Sequence, residues 1–392
     1  MKKFPVVALL GARQVGKSTI LQKICPQGHF FDLENSKDFA RIQSDPALLF
    51  KEVPPPYVFD EAQLCPKLFN AIRVEVDKKR EVNGRFLLSG PSSPELLGNL
   101  SESLAGRMAM LEISTFNWSE RGDIEASSFY TSLNSMDDLL KLKPLHTHSQ
   151  ILSYCLHGGY PEPYLKRSDI KYYDLWFENY FKSYIERDVR KLFPAMNIQA
   201  YNRFVQMLSH STGEIVNASN FARSLDVSQP TVKKYMGIIE GTFLWRKIPP
   251  YEKSGFKRIV KMPKGYIKDT GLINYLLNIH SEKDLKGHQL YGRIWESFVT
   301  EQILKGLKSN LIKHSYYFYR TNNQTEIDLI IEGRGGPVPI EIKAGSVTTP
   351  KQIKPLINFV KNEKIPFGIV VNNGDEIFKI TENIIQIPCI YL

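Results

Sequence analysis

The chain is poor in cysteine: 4 in 392 residues, at Cys25, Cys65, Cys155 and Cys389. None stands at the spacing of a zinc site or a disulfide scaffold. That excludes both and fits reduced thiols in a cytosol. Long apolar runs are missing as well, and no stretch reaches the roughly eighteen residues that span a bilayer. The opening MKKFPVVALLGARQ sets two lysines before an apolar run. The run is too short for a signal peptide and flows into a glycine loop, so it reads as a buried strand. Together these absences predict a cytoplasmic chain without a membrane segment. There is no internal repeat and no low-complexity tract. With 42% hydrophobic and 23% charged residues, disorder and collagen are excluded as the main state. At roughly 150 residues per domain, the length predicts two or three domains.

What is present in excess is positive charge: 51 Lys and Arg against 41 Asp and Glu, a net +10. Such an excess bears on partners rather than on fold. Residues 1–124 carry 16 basic and 15 acidic groups, 125–219 carry 10 and 10, and 269–392 carry 14 and 13. Residues 220–268 carry 11 and 3, so eight of the ten excess charges lie there. An anionic partner is expected to dock on that segment, DNA first and RNA as the minor option.

Patterning divides the chain into four parts. Residues 1–124 alternate short apolar runs with amphipathic stretches, which predicts an α/β domain with a parallel sheet. Residues 125–205 lose that alternation and include YYDLWFENYFKSYIERDV, with apolar residues at helical spacing, read as a helical lid or linker. Residues 206–275 hold short helices and a basic, aromatic hairpin-like segment. Residues 276–392 return to mixed helix and strand.

Gly11-Ala12-Arg13-Gln14-Val15-Gly16-Lys17-Ser18, followed by Thr19, fills every position of GxxxxGK[ST]. It lies between an apolar strand and a helix-like stretch, the context a P-loop requires. The glycines let backbone N–H groups face phosphates, and the helix N-terminus adds partial positive charge. Lys17 is expected on the β- and γ-phosphates and Ser18 on Mg²⁺, with ATP as the nucleotide. Tyr57-Val58-Phe59-Asp60-Glu61 is a second apolar strand ending in two acids. Asp60 is expected to hold Mg²⁺ and Glu61 to polarise the attacking water. Ser89, closing a third strand, is either a γ-phosphate sensor or a plain turn serine.

These residues resemble a known family. GARQVGKST, FDEAQ, LLSGPSS, SESLAGR, GGYPEP, ERDVR, a helix-turn-helix-like stretch and DTGL recur in this order in a group of bacterial and archaeal AAA-type P-loop ATPases with a C-terminal domain of unknown function. The resemblance covers nearly the whole chain. It implies ATP binding, slow hydrolysis and a C-terminal part related to restriction-endonuclease-like folds. Relatives carry a helical segment ahead of the first strand that often helps hold adenine, whereas three residues precede Phe4 here. Relatives also tend to have Ser where Pro91 stands. Arg107 in SESLAGR and Arg187 or Arg190 in IERDVR are candidates to touch a γ-phosphate, in cis or from a neighbouring subunit of a homo-oligomer. The alternative for each is a structural ion pair.

Asn220–Leu225 reads as a short helix, 226–228 as a turn, and Gln229 onward as a second helix with Ser228 as N-cap and Pro230 in its first turn. That is the plan of a helix-turn-helix. Gln229, Thr231, Lys233 and Lys234 are expected to project toward phosphates and base edges. Beyond them, basic residues alternate with apolar ones across a turn at 253–255, which predicts a wing bearing Lys253, Lys257, Arg258, Lys261 and Lys264. The resulting winged helix would bind DNA through phosphates, or serve as a protein-docking module.

Toward the C-terminus, Asp328 on TEIDLII and the Glu341/Lys343 pair on VPIEIK form the D…ExK pattern of PD-(D/E)xK phosphodiesterases. Glu341 and Lys343, two apart, share one strand face. Asp328 and Glu341 are expected to bind Mg²⁺, with Glu296 as a further carboxylate, and Lys343 to stabilise hydroxide or the leaving charge. The alternative is a nuclease-like fold retained for binding or assembly. His146, His148 and His157 stand at no metal spacing with cysteine and read as solvated or satisfied.

Overall fold

Val-Val-Ala-Leu-Leu offers no polar face, so the strand it forms (β1, Val6–Leu10) has to be covered on both sides, as a central parallel strand is. In the computed structural model all five of its residues are buried, with β4 (Phe86–Gly90) on one side and β5 (Met108–Glu112) on the other. The structure describes residues 2–90, 103–190, 193, 196–252, 262–321 and 325–392, without the side chains of 186–188. The expected turn at 253–255 and the wing residues Lys253, Lys257, Arg258 and Lys261 lie outside the described residues, as does Pro91.

The sheet is parallel, in the order β2-β3-β4-β1-β5, with β2 at His29–Asp32 and β3 at Tyr57–Asp60. Helix α1 (Lys17–Ile24) follows β1, while α2 (Ser36–Ser44), α3 (Pro46–Glu52) and α4 (Lys67–Lys78) lie on the chain between β2 and β4. Leu68, Phe69, Ile72 and Val76 recur at helical spacing on α4 and are buried in the same core as Phe59 and Phe86.

The chain partitions into two compact units, Met1–Ser114 with Gly237–Leu244, and Thr115–Met236 with Trp245–Leu392. The first stretch of the first unit ends at Ser114, within the part expected over 1–124. The residues just past it belong to the second unit by their bonds: Lys305 Nζ donates to Thr115 Oγ1 at 2.7 Å and Trp118 N to Gln302 Oε1 at 2.9 Å. The expected linker, helix-turn-helix and C-terminal parts therefore share one unit, apart from the returning segment 237–244.

In that unit, α5 (His148–His157), α6 (Ile170–Ser183) and α7 (Ile198–His210) form the helical part. Next come β6 (Glu214–Ile215), α8 (Ala218–Leu225), α9 (Gln229–Gly241), β7 (Trp245–Ile248) and β8 (Lys264–Ile267). β6, β8 and β7 make a small antiparallel sheet in that order. Ser228 Oγ accepts from Thr231 N at 3.3 Å, which starts α9 where the cap was expected. After α10 (Thr270–Leu276) comes α11 (Tyr291–Ser309). A six-stranded mixed sheet then follows in the order β13-β14-β12-β11-β10-β9. Its strands are β9 (Ser315–Arg320), β10 (Glu326–Gly333), β11 (Gly336–Ile342), β12 (Gly368–Asn372), β13 (Phe378–Thr381) and β14 (Ile384–Pro388), with α12 (Lys354–Glu363) between β11 and β12.

GGYPEP and DTGL, far apart in sequence, meet in this unit. Asp269 caps α10 through Gly271 N at 3.0 Å and also accepts from Gly159 N at 2.8 Å. Gly158 has φ 65°, and a side chain there would collide with the Asp269 carboxylate and with Gly271 N. Asp269→Ala would leave buried N–H groups without acceptors. It is expected to lower unfolding free energy by about 2–3 kcal/mol, measured by urea denaturation.

Candidate functional site

Two sites emerge, one in each unit. In the first, the loop after β1 wraps around a lysine. Gly11 sits so close to β5's exit that a Cβ would lie 2.2 Å from Ile113 O, so only glycine fits. Gln14 (φ 59°) and Gly16 (φ 92°) take left-handed backbone, which curls the loop back into α1. Lys17 is buried, and its ammonium donates to Gly11 O at 3.0 Å and Ala12 O at 2.7 Å. Ser18 and Thr19 are exposed on the first turn of α1, beside the helix N-terminus. Arg13 is engaged with Glu34 at 3.4 Å.

Asp60 closes β3, buried, and takes a short hydrogen bond from Ser89 Oγ on β4. Glu61 N donates to Asp60 Oδ1 at 3.1 Å, and Gln63 Nε2 donates to the Glu61 carboxylate at 2.5 Å. Parallel register puts Leu10, Gly90 and Asp60 at the same edge of the sheet. The P-loop, Ser89, Asp60 and Glu61 therefore share the carboxyl edge, where ligands of open parallel sheets bind. Ser89 is thus bonded to Asp60, a role that neither sequence expectation for it named.

Arg107 does not join them. Val6 N donates to Arg107 O at 3.3 Å, so Arg107 lies before β5, at the amino edge of the sheet. Five residues of strand, roughly 16 Å, separate that edge from the P-loop. Its guanidinium binds Asp77 through two bonds, 2.8 and 2.9 Å. The expectation of a γ-phosphate contact in cis is therefore corrected to an ion pair. Arg190 is exposed in the second unit, and the Arg187 side chain lies outside the described residues.

The second site lies where β8, α11, β10 and β11 meet. The β10–β11 register sets Leu329 opposite Ile340, which brings Asp328 beside Glu341. The register against β9 shifts between Ile327 and Ile330, the stretch that holds Asp328. Asp328 Oδ2 accepts from Ile342 N at 2.8 Å, and Lys343 Nζ donates to Glu341 Oε1 at 2.6 Å. Glu341 Oε2 is buried and has no hydrogen-bond partner among the described residues. Glu296 of α11 accepts from Tyr266 OH at 2.5 Å.

At the middle stands Lys264. It was expected on a DNA-facing wing, and that expectation is corrected: its side chain is 2% exposed. Its ammonium bonds Glu296, reaches Glu326 Oε1 at 2.6 Å and lies 3.6 Å from Asp328 Oδ1. An ammonium that deep needs acceptors all round, and these carboxylates supply them. Of the carboxylates expected on Mg²⁺, Glu296 and Asp328 face this ammonium, while Glu341 is bonded to Lys343. Among the described residues no group of three or more His, Cys, Asp or Glu is placed to hold a metal ion. The signal that sequence reasoning missed is the pair Lys264 and Tyr266, two apart on one strand and both directed at Glu296.

Burial, and then the charge of Asp328, push the Glu296 carboxyl up to about 7 against the pull of Lys264. Burial does the same to Glu341, up to about 8, against Lys343. Lys264 and Lys343 are held above the ordinary lysine value; the surrounding carboxylates outweigh the burial that would lower them. On α9, Gln229, Lys233 and Lys234 are exposed and Thr231 is half-buried, with Lys234 Nζ 5.6 Å from the Phe193 ring centroid.

The P-loop with its acidic strand end defines a nucleotide-binding protein of the P-loop class. Residues 3–121 match the family model described as AAA domain, and 148–283 and 291–391 match two described as domains of unknown function (DUF8612 and DUF4143). An uncharacterized protein of Mycobacterium tuberculosis is 31% identical over 391 residues, 99% of this chain and 81% of the relative, and one of Mycobacterium bovis matches equally. The chain therefore belongs to the family of AAA-domain proteins with this C-terminal domain, and that membership supports ATPase activity. A Haemophilus influenzae protein, also uncharacterized, is 22% identical over 55% of the chain and 51% of its own length. Among solved structures, the Thermotoga maritima RuvB Holliday junction branch migration motor aligns at 14% identity. It covers 65% of this chain and 87% of that one, with a TM-score of 0.31, too low to carry an argument. No helix among the described residues is long and apolar enough to cross a membrane.

The raised Glu341 carboxyl has a stability consequence. The folded state keeps a proton that the unfolded chain, at the ordinary value of 4.5, gives up. Its contribution is fully present below that value and is lost as pH rises toward about 8. Denaturant titrations across this window are expected to show stability falling with pH, with a shallower fall in Glu341→Gln. An identical slope in the variant would remove Glu341 as the source.

Proposed function

We propose that the chain is an ATP- and Mg²⁺-dependent ATPase that engages DNA through a winged helix, its nucleotide state governing that engagement. The observation that carries the ATP half is the convergence of the P-loop, Ser89, Asp60 and Glu61 on one sheet edge. Loop N–H groups of Gly11 to Thr19 and the Lys17 ammonium bind phosphates. The donor set fits Mg²⁺: an exposed hydroxyl at Ser18 and a carboxylate at Asp60 whose orientation Ser89 fixes. The ion would neutralise phosphate charge there. Glu61, tethered by Gln63, orients the attacking water and takes its proton. Arg107 contributes to hydrolysis only if a neighbouring copy presents it.

Support for the DNA half is the pair α8 and α9 joined by a three-residue turn, with Gln229, Lys233 and Lys234 exposed on the second helix. The antiparallel β7 and β8 follow, and between them runs the basic sequence 253–261. The αβββαβ order from α11 to β12 supports a restriction-endonuclease-like reading of the C-terminal region. Lys264 among its carboxylates favours the second reading, a non-nucleolytic switch in which this fold docks protein or nucleic acid.

Lys17→Ala is expected to lower ATP turnover by about 100-fold or more, followed by phosphate release; unchanged turnover removes the ATPase reading. Reversing charge at Lys233, Lys234 and Lys257 is expected to weaken binding to duplex DNA. The log–log salt slope should shrink by about 0.9 for each phosphate that the variant no longer neutralises. If neither affinity nor slope moves in a fluorescence-anisotropy titration, the segment docks protein instead.

A further inference from the structure

We propose that the Lys264 ammonium is the resident cation of the carboxylate site, standing where a PD-(D/E)xK enzyme holds its divalent metal, so that the site is complete without a metal. The proposal builds on the nuclease-like reading of the C-terminal fold and on no part of the ATP or DNA reading.

Three observations carry it. The first is position. Lys264 contacts Glu296, Glu326 and Asp328, carboxylates supplied by α11 and β10, and so occupies the point toward which they converge. A divalent ion sharing those oxygens would stand within a few ångströms of a fixed positive charge. The second is immobility. Lys264 begins β8 and is paired in the ladder with Ile215 on one side and Ile248 on the other. Its side chain is 2% exposed, and Arg320 and Tyr266 hold Glu326 and Glu296 from behind. The ammonium is held by three carboxylates while its backbone is held by a ladder partner on each side. The third is charge. Glu296, Glu326, Asp328 and Glu341 face Lys264 and Lys343, so the second lysine is already committed to Glu341 and the first to the other three. The carboxylates are therefore engaged by lysines. Glu341 Oε2 has no hydrogen-bond partner among the described residues, and no group of three or more His, Cys, Asp or Glu among them is placed to hold a metal ion.

The site then works as a cationic pin that joins β8 to α11 and β10. Divalent ions are expected neither to bind it nor to stabilise it.

The test is Mn²⁺ titration of the full chain without nucleotide, read by electron paramagnetic resonance. It is run in an Asp60→Asn background so that the P-loop does not contribute. The expected result is no saturable Mn²⁺ site that depends on Asp328 or Glu341, and no shift of thermal midpoint with Mn²⁺. Lys264→Met, which removes the charge and keeps the length, should gain one Mn²⁺ site that a further Asp328→Asn abolishes. Its midpoint should be lowered and partly restored by Mn²⁺. Lys264→Arg should exclude Mn²⁺ as the wild type does. A wild-type Mn²⁺ site that disappears in Asp328→Asn or Glu341→Gln overturns the inference. So does Mn²⁺-dependent DNA nicking that disappears in the same variants. Both outcomes are read on chains that retain Lys264, so they decide the matter even if Lys264→Met does not fold. ATP turnover and DNA affinity, measured on the same Lys264, Asp328 and Glu341 chains with Asp60 restored, report separately on the reading of the other sites.

Discussion

A lysine ammonium removed from water has to be met by acceptors, and at Lys264 this requirement organises the second unit. Its partners come from a helix and a strand that are distant from it in sequence, Glu296 on α11 and Glu326 and Asp328 on β10. Opposite charges at about 4 Å attract by about 4 kcal/mol at an effective dielectric of 20, but only while the geometry holds. The small sheet β6-β8-β7 and the six-stranded sheet are thereby locked together around one atom. In the same cluster, burial and the charge of Asp328 raise the carboxyls of Glu296 and Glu341 against the pull of Lys264 and Lys343.

The two sites differ in how much of them the sequence discloses, for a physical reason. The P-loop is a local object. Its glycines, lysine and hydroxyl fall within eight residues, and the flanking apolar run and helix state the context. Asp60 follows almost as directly, because an apolar strand ending in acids has one place to go beside a P-loop. Arg107 shows where this stops: its motif stands in order among the others, but only parallel register reveals that it sits at the opposite sheet edge. Lys264 shows the same more sharply. In a stretch with 11 basic and 3 acidic groups it looks like one more solvated charge. Its burial depends on acids up to 64 positions away, at Asp328. Likewise GGYPEP and DTGL stand in the sequence as two separate motifs, whereas Asp269 joins them through Gly159.

The charge of the basic segment changes meaning accordingly. Of its 11 basic groups, Lys264 and Arg246 are internal, the second bonded to Glu301, so their charges are cancelled inside the fold. Arg223, Lys233, Lys234 and Lys247 remain exposed among the described residues. The electrostatic surface available to a polyanion is smaller than the formal count, and the helix α9 carries a larger share of it.

The return of Gly237–Leu244 into the first unit has an implication for how the protein comes into being. Phe243 packs against the core formed by β1, β3, β4 and α4. A ribosome that has delivered the P-loop sheet has therefore not yet delivered all of its hydrophobic lining; more than a hundred further residues must emerge first. The backbone also passes between the units at 114/115, 236/237 and 244/245, so three covalent connections tie them rather than one. A gene fragment ending after the AAA segment would encode the sheet without Phe243 on its core, and an exchange of domains between relatives would have to carry two separate pieces of sequence together.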